Sequence, residues 1–241
     1  MKTAFCAALL GATLLAAPAF AAMPPAAGPI TAERPAGDMA RDANRKPNEI
    51  MAFAGVKSGM TIGELGSGGG YYTRLLSKAV GPSGKVYAFV TQPQVAAGRT
   101  ANLEALAKVL GNVEVVVVPT LAALKTPTPA DLFWTTENYH DFHNNGGDIA
   151  ALNKAVFDSL KPGGVFFVED HSAAKGAGLA ATSSVHRMDE DVAKAELQAA
   201  GFRLDGETNL LRNPADNKSG ANAESGSFNS DRFGLRMKKP G

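Results

Sequence analysis

Residues 62–76, IGELGSGGGYYTRLL, decide how this chain folds. The segment MTIGEL (60–65) that leads into them reads as a strand. After the turn, Tyr71, Tyr72, Leu75, Leu76, Ala79 and Val80 recur at helical spacing. Between strand and helix, four glycines occupy the five positions 66–70. A turn stripped of side chains lets backbone amides lie against whatever approaches. The stretch therefore predicts a strand–turn–helix unit with a ligand at the strand's carboxyl end.

Outward from this unit the alternation continues. KVYAFV (85–90), VEVVVV (113–118), DLFWTT (131–136) and VFFVED (165–170) read as strands, VEVVVV apolar enough to be buried on both faces. Helical patterns run through Leu103, Leu106, Val109 and Leu110, and through Ile149, Leu152, Val156, Phe157 and Leu160. Gly81-Pro82 stops one helix, and LKPGG (160–164) is expected to close another. Asp189 is positioned to cap a helix that ends at Gly201. FRLDGETNLL (202–211) and DRFGLRMK (231–238) are late strands, separated by a polar stretch near 212–230 that reads as a surface loop. The fold class is α/β, a mostly parallel sheet with helices on both faces, in one domain spanning 45–241.

The beginning of the chain differs. Lys2, an Ala/Leu-rich stretch and Ala19-Phe20-Ala21 predict a signal peptide over 1–21, and residues 22–44 an exposed lead-in. Cys6, the single cysteine, falls inside that signal, so the mature chain would carry no thiol for disulfides or thiolate metal sites. The expected location is periplasmic or secreted, with no stable membrane association after signal removal. A formal net charge of +1 argues against nucleic acid or anionic lipid as partner.

Gly66, Gly68 and Gly70 form G-x-G-x-G behind Glu64. A dinucleotide turn, G-x-G-x-x-G, would place its third glycine at 71, where this chain has Tyr71. That weakens a nicotinamide reading. The intact order Glu64-Leu65-Gly66-Ser67-Gly68-Gly69-Gly70 resembles the class I S-adenosylmethionine-dependent methyltransferases. With RDANRKPNEIMAF (41–53), ENYHDF (137–142), LKPGGVFFVEDH (160–171), VHRMD (185–189) and LLRNPADN (210–217), it is similar to a group of predicted bacterial methyltransferases that often carry export signals.

The resemblance implies a Rossmann-like methyltransferase fold of seven strands, the last antiparallel, with S-adenosylmethionine held by Glu64, Gly66, Ser67, Gly68 and Gly70. It also implies methyl transfer to an unidentified small-molecule acceptor beyond the fourth strand. There Asn138 would orient the acceptor, Tyr139 would flank the sulfonium, and His140 or Asp141 would take a proton. His171 and His186 would line the acceptor pocket. The bland alternative is a polar loop in which His140 and Asp141 bond each other. Histidines and carboxylates of this region suit a divalent cation, but no tight ligand spacing is present, and no metal is expected. Arg187 reads either as an anion contact or as a solvated side chain.

Two departures from the family pattern stand out. Val90 occupies the place of the usual ribose-binding acid, and VVVVPTL lacks the acid often used near adenine. Thr91 and Gln92 are the polar groups left for the ribose. This favours an alternative function: an exported small-molecule-binding protein that kept the fold without the reaction.

Overall fold

The computed structural model describes residues 34–220 and 230–241; the signal-peptide reading of 1–21 lies outside them. Seven strands form one sheet: β1 (Thr61–Leu65), β2 (Lys85–Thr91), β3 (Val113–Val118), β4 (Ala130–Thr136), β5 (Leu160–His171), β6 (Arg203–Thr208) and β7 (Arg232–Lys238). Their order is β3-β2-β1-β4-β5-β7-β6. All neighbours from β3 to β5 pair in parallel, and β7 runs antiparallel to both β5 and β6. The chain winds outward from β1 to β3, then returns to the far side of β1 with β4. The switch in direction lies between β1 and β4, where the carboxyl ends of open α/β sheets bind ligands.

The helices are α1 (Ala36–Met39), α2 (Asp42–Arg45), α3 (Pro47–Ala54), α4 (Tyr71–Val80), α5 (Gln92–Ala96), α6 (Ala101–Leu110), α7 (Ile149–Ser159), α8 (Ala180–Ser184) and α9 (Glu190–Ala199). Two apolar layers form, one on each sheet face. The first packs Ile50, Tyr72, Leu76 and Leu103 on Ile62, Val86, Trp134 and Phe167. The second packs Leu152, Val156 and Leu197 on Phe133, Phe166 and Leu235. Pro47 opens α3 without a lost hydrogen bond, and Asp189 accepts from the Asp191 amide at the start of α9.

Four expectations change. β3 is an edge strand with Glu114 and Val117 exposed, not a doubly buried one; β-branched runs do not reveal whether a neighbour follows. LKPGG joins the extended strand β5 instead of merely closing a helix, with a register shift opposite Ala130–Leu132. Arg187 is buried, donating to Asp216 at 2.9 and 3.0 Å and to the Ser172 carbonyl at 2.8 Å. It is neither solvated nor free for an anion. Thus residues 213–220 of the polar stretch are tied to the domain, while 221–229 lie outside the described residues. Lead-in residues 34–44 are mostly exposed, yet Asp42, paired with the buried Arg34 (2.7 and 2.9 Å), accepts from Tyr71 of α4 (2.6 Å) and ties them down.

Candidate functional site

A cavity of about 140 Å³ opens at the β1/β4 switch, lined by Glu64, Gly66, Ser67, Gly68, Gly69, Tyr71, Tyr72, Trp134, Glu137, Asn138 and the arginines 41 and 45. The glycines that form its floor divide into two kinds. A Cβ on Gly66 would stand 2.5 Å from the Asn138 side chain, and one on Gly70 2.5 Å from Leu106. The protein's own packing demands those two. Gly68 has a left-handed φ of 51° but meets no side chain, and Gly69 meets nothing within 4 Å. Gly69 also needs no left-handed backbone, so neither strain nor packing within the protein explains it.

Asn138 buttresses this floor. Its amide donates to the Gly66 carbonyl (3.2 Å) and the Thr136 carbonyl (2.6 Å), bolting the β4 end onto the glycine turn. Glu64 stands behind the turn, 2% exposed, and accepts from Thr73 Oγ1 at 2.7 Å. Burial pushes its carboxyl up to about 7, against the opposing hydrogen bonds of Thr73 and Ser67. An incoming ammonium would restore its charge.

The aromatic wall is held from outside. Tyr71 donates to Asp42 (2.6 Å), and the guanidiniums of Arg34, Arg41 and Arg45 lie 4.7–5.0 Å from its ring centre. Tyr72 packs on Trp134 with ring centres 4.8 Å apart. The rings border the cavity and leave its glycine floor open.

At the ends of β4 and β5 lies a charged group that the sequence did not single out. Glu137 pairs with Arg45 and, at 2.7 Å, with Arg232. Burial alone would raise Glu137, but Arg45, His171 and Arg232 outweigh it and hold the carboxyl below its usual range. Glu169, fully buried and 3.5 Å from Arg232, goes the other way: burial, opposed by Arg232 and reinforced by Glu137, lifts it to about 8. Both its oxygens, the Tyr72 hydroxyl and the Trp134 ring nitrogen are buried without hydrogen-bond partners. One signal was available at Glu137, a non-glycine residue at φ 54°, but only once the backbone was known.

The sequence-predicted acceptor residues separate. Tyr139 is fully buried on the far layer, donating to Glu196 (3.1 Å) and accepting from Asn153 (2.8 Å). It does not border the cavity. His140, Asp141 and His186 do converge, with Asp141 Oδ1 3.3 Å from each imidazole. His140 is 1% exposed; burial would lower its pKa, but Asp170 outweighs this and raises it. His171 bonds Ser230 at 2.7 Å, and burial lowers its pKa. His143 joins Glu196 instead (2.9 Å). None of these histidines lines the cavity.

The adenosine side is plainer. Val90 is buried in the core layer, and Thr91 spends its backbone N–H and hydroxyl on Gln94 in a capping box that opens α5. Gln92 is exposed beside it. The residues present thus fit the amino-acid half of S-adenosylmethionine, through Glu64 and the open glycines, better than its ribose.

Strand order, switch point and glycine floor together define the class I methyltransferase fold. The same fold occurs in an S-adenosylmethionine-dependent methyltransferase from Aquifex aeolicus (21% identity, TM-score 0.56, 82% of this chain and 97% of that one covered). It also occurs in a possible exported protein from Bordetella parapertussis (14%, 0.54, 90% and 76%). Aeropyrum pernix fibrillarin, solved with natively bound S-adenosyl-L-methionine, shares it too (15%, 0.52, 82% and 76%). No curated protein sequence matches the chain. The family model of protein-L-isoaspartate(D-aspartate) O-methyltransferase matches residues 47–168, half of the sequence, and the chain belongs to that family. Its cofactor is S-adenosylmethionine.

Proposed function

We propose that this protein moves the methyl group of S-adenosylmethionine to a small acceptor that enters over the ends of β4 and β5. The observation that carries the reading is the pair Gly68–Gly69, open to free space beside the buried Glu64 carboxyl, whose bond is to a neutral hydroxyl. Glu64 would take the ligand's ammonium, and the backbone of 66–70 would follow its amino-acid chain. Asn138 would fix the turn in position. The cofactor, when bound, supplies an electrophilic methyl on a good leaving group, so the protein's main task is in-line positioning.

Toward the acceptor, His140, Asp141 and His186 offer a basic edge, with His171 behind it. An acceptor hydroxyl or amine placed there would give up its proton to that edge as the methyl arrives. Tyr139 has no part in this.

The site of action would be outside the cytoplasm, as the segment 1–21 suggests; among the described residues no helix is long and apolar enough to cross a membrane. A charged cofactor does not cross hydrocarbon unaided, so export requires a supply of it. Cell fractionation tests this, and a full-length cytosolic product would overturn it.

The test of function is thermal shift of the mature protein with S-adenosylmethionine, S-adenosylhomocysteine and NAD in turn. A ligand at 100 times its Kd adds about 2.7 kcal/mol. Shifts with the sulfur compounds alone, lost in Gly68→Val, support the reading. Equal shifts in wild type and Gly68→Val would displace the site. Binding without formation of S-adenosylhomocysteine across a panel of acceptors would favour the non-catalytic binding protein.

A further inference from the structure

We propose that His140 Nε2, the Asp141 carboxylate and His186 hold a divalent transition-metal ion of the zinc class, with one position left open to solvent. The inference deepens the acceptor edge described above, but the ion would bind with or without the methyl donor.

The argument begins behind the imidazole. Asp170 is fully buried and accepts two backbone N–H groups, from His140 (2.7 Å) and His171 (2.7 Å). Its carboxylate is thereby fixed as an acceptor, and His140 Nδ1, 2.8 Å away, must donate to it. The lone pair of the neutral ring then sits on Nε2. That atom is buried and has no hydrogen-bond partner. What it faces is another acceptor, Asp141 Oδ1, at 3.3 Å. With the ring neutral, two lone pairs face each other across this gap, and a cation between them, a proton on Nε2 or a metal ion, relieves the repulsion.

The dimensions suit an ion. Ligand atoms about 2.1 Å from a tetrahedral zinc stand about 3.4 Å from one another. Asp141 Oδ1 is 3.3 Å from His140 Nε2 and 3.3 Å from His186 Nδ1, and one atom from each of the three residues falls within a 4.8 Å group. Asn144 donates to the same Asp141 oxygen at 3.2 Å, steadying the carboxylate. A carboxylate behind the imidazole, holding tautomer and ring direction, is the usual outer support of a metal-binding histidine. Nitrogen and oxygen donors without sulfur suit zinc, cobalt or nickel.

His140 is buried just beyond the end of β4, whereas Asp141 and His186 have side chains 46% and 30% exposed. Three protein ligands with a solvent-facing gap are the arrangement of reactive metal centres, not closed structural ones. An acceptor oxygen bound in the gap would lose its proton more readily. The ion would thus perform the edge's task by different means.

Tag-free mature protein, stripped with chelator and free of cofactor, is titrated with Co²⁺ and followed by its visible absorption and by calorimetry. One equivalent is expected to bind with four-coordinate colour, displaced by Zn²⁺. His186→Ala and Asp141→Asn should each weaken binding at least tenfold while the far-ultraviolet spectrum stays unchanged; these partly exposed positions avoid the folding risk of altering His140. Wild type that binds no Co²⁺ overturns the proposal, as does equal affinity in both variants. So does a ring-nitrogen spectrum showing His140 doubly protonated in the presence of Zn²⁺. Because the donor is absent from the titration, a negative result leaves methyl transfer standing, and a failed shift with S-adenosylmethionine leaves the ion site standing.

Discussion

The two sides of the β1/β4 switch solve the problem of polarity in opposite ways. On the β1 side the surface is bare main chain backed by one buried acid. On the β4–β5 side it is a nest of buried charges, Arg45, Glu137, Glu169 and Arg232, drawn from segments far apart in the chain. The β1 surface can be altered at Gly69 with little consequence for folding, because nothing packs on it and its backbone is not left-handed. The charged side cannot, because each member compensates another. If the proposed site is right, binding capacity and structural integrity are separable here.

The sharpest way to expose that difference is Arg232→Met. It leaves Glu137 with Arg45 alone and removes the guanidinium 3.5 Å from Glu169, and should lower stability by about 3–5 kcal/mol in urea unfolding. A loss under 1 kcal/mol would mean that the charges of β4–β5 do not depend on one another.

Glu64→Gln comes next. Folded Glu64 titrates near 7, above its unfolded value of 4.5, so the folded state holds the extra proton between those pH values. Stability from this group is complete below about 4.5 and is lost as pH rises to 7, by about 3 kcal/mol. The variant removes that loss: relative to wild type it should gain about 3 kcal/mol between pH 4.5 and 8, while its affinity for the methyl donor falls. A wild type and variant with parallel pH profiles would contradict the buried acid.

Gly69→Val is expected to change unfolding free energy by less than about 0.5 kcal/mol and to cut affinity for S-adenosylmethionine at least tenfold. Isothermal titration decides it. If stability falls and affinity does not, the two sides are not distinct. The smallest effect belongs to Tyr139→Phe, which removes bonds to Glu196 and Asn153: about 1 kcal/mol of stability, and an unchanged methyl-transfer rate. A rate drop beyond tenfold would return Tyr139 to the reaction.

The same division explains what the sequence disclosed. The glycine turn and Glu64 are contiguous in residues 64–70, so spacing alone singled them out, and strand alternation followed from apolar runs. Gly69 escaped notice because its significance lies in what it fails to touch. The charged nest was invisible for a different reason. Arg45 and Glu137 lie 92 positions apart and Glu137 and Arg232 95, so no local pattern links them. Tyr139 misled because a residue beside a site in sequence can face the opposite sheet layer. His140, Asp141 and His186 were each legible as polar loop residues; only tertiary structure brought the last beside the first two.

The arm of residues 34–45 has a bearing on the order of assembly. Arg45 closes on Glu137, and the Asn44 carbonyl accepts from Arg232, a partner synthesised 188 residues later. The earliest part of the domain to leave the ribosome therefore has to wait for the latest before it can settle. Contacts of such long range carry the largest closure entropy and form late. The entrance should stay ajar while the sheet is already built, and pulsed hydrogen exchange should find the 38–46 amides protected after those of β1 and β4.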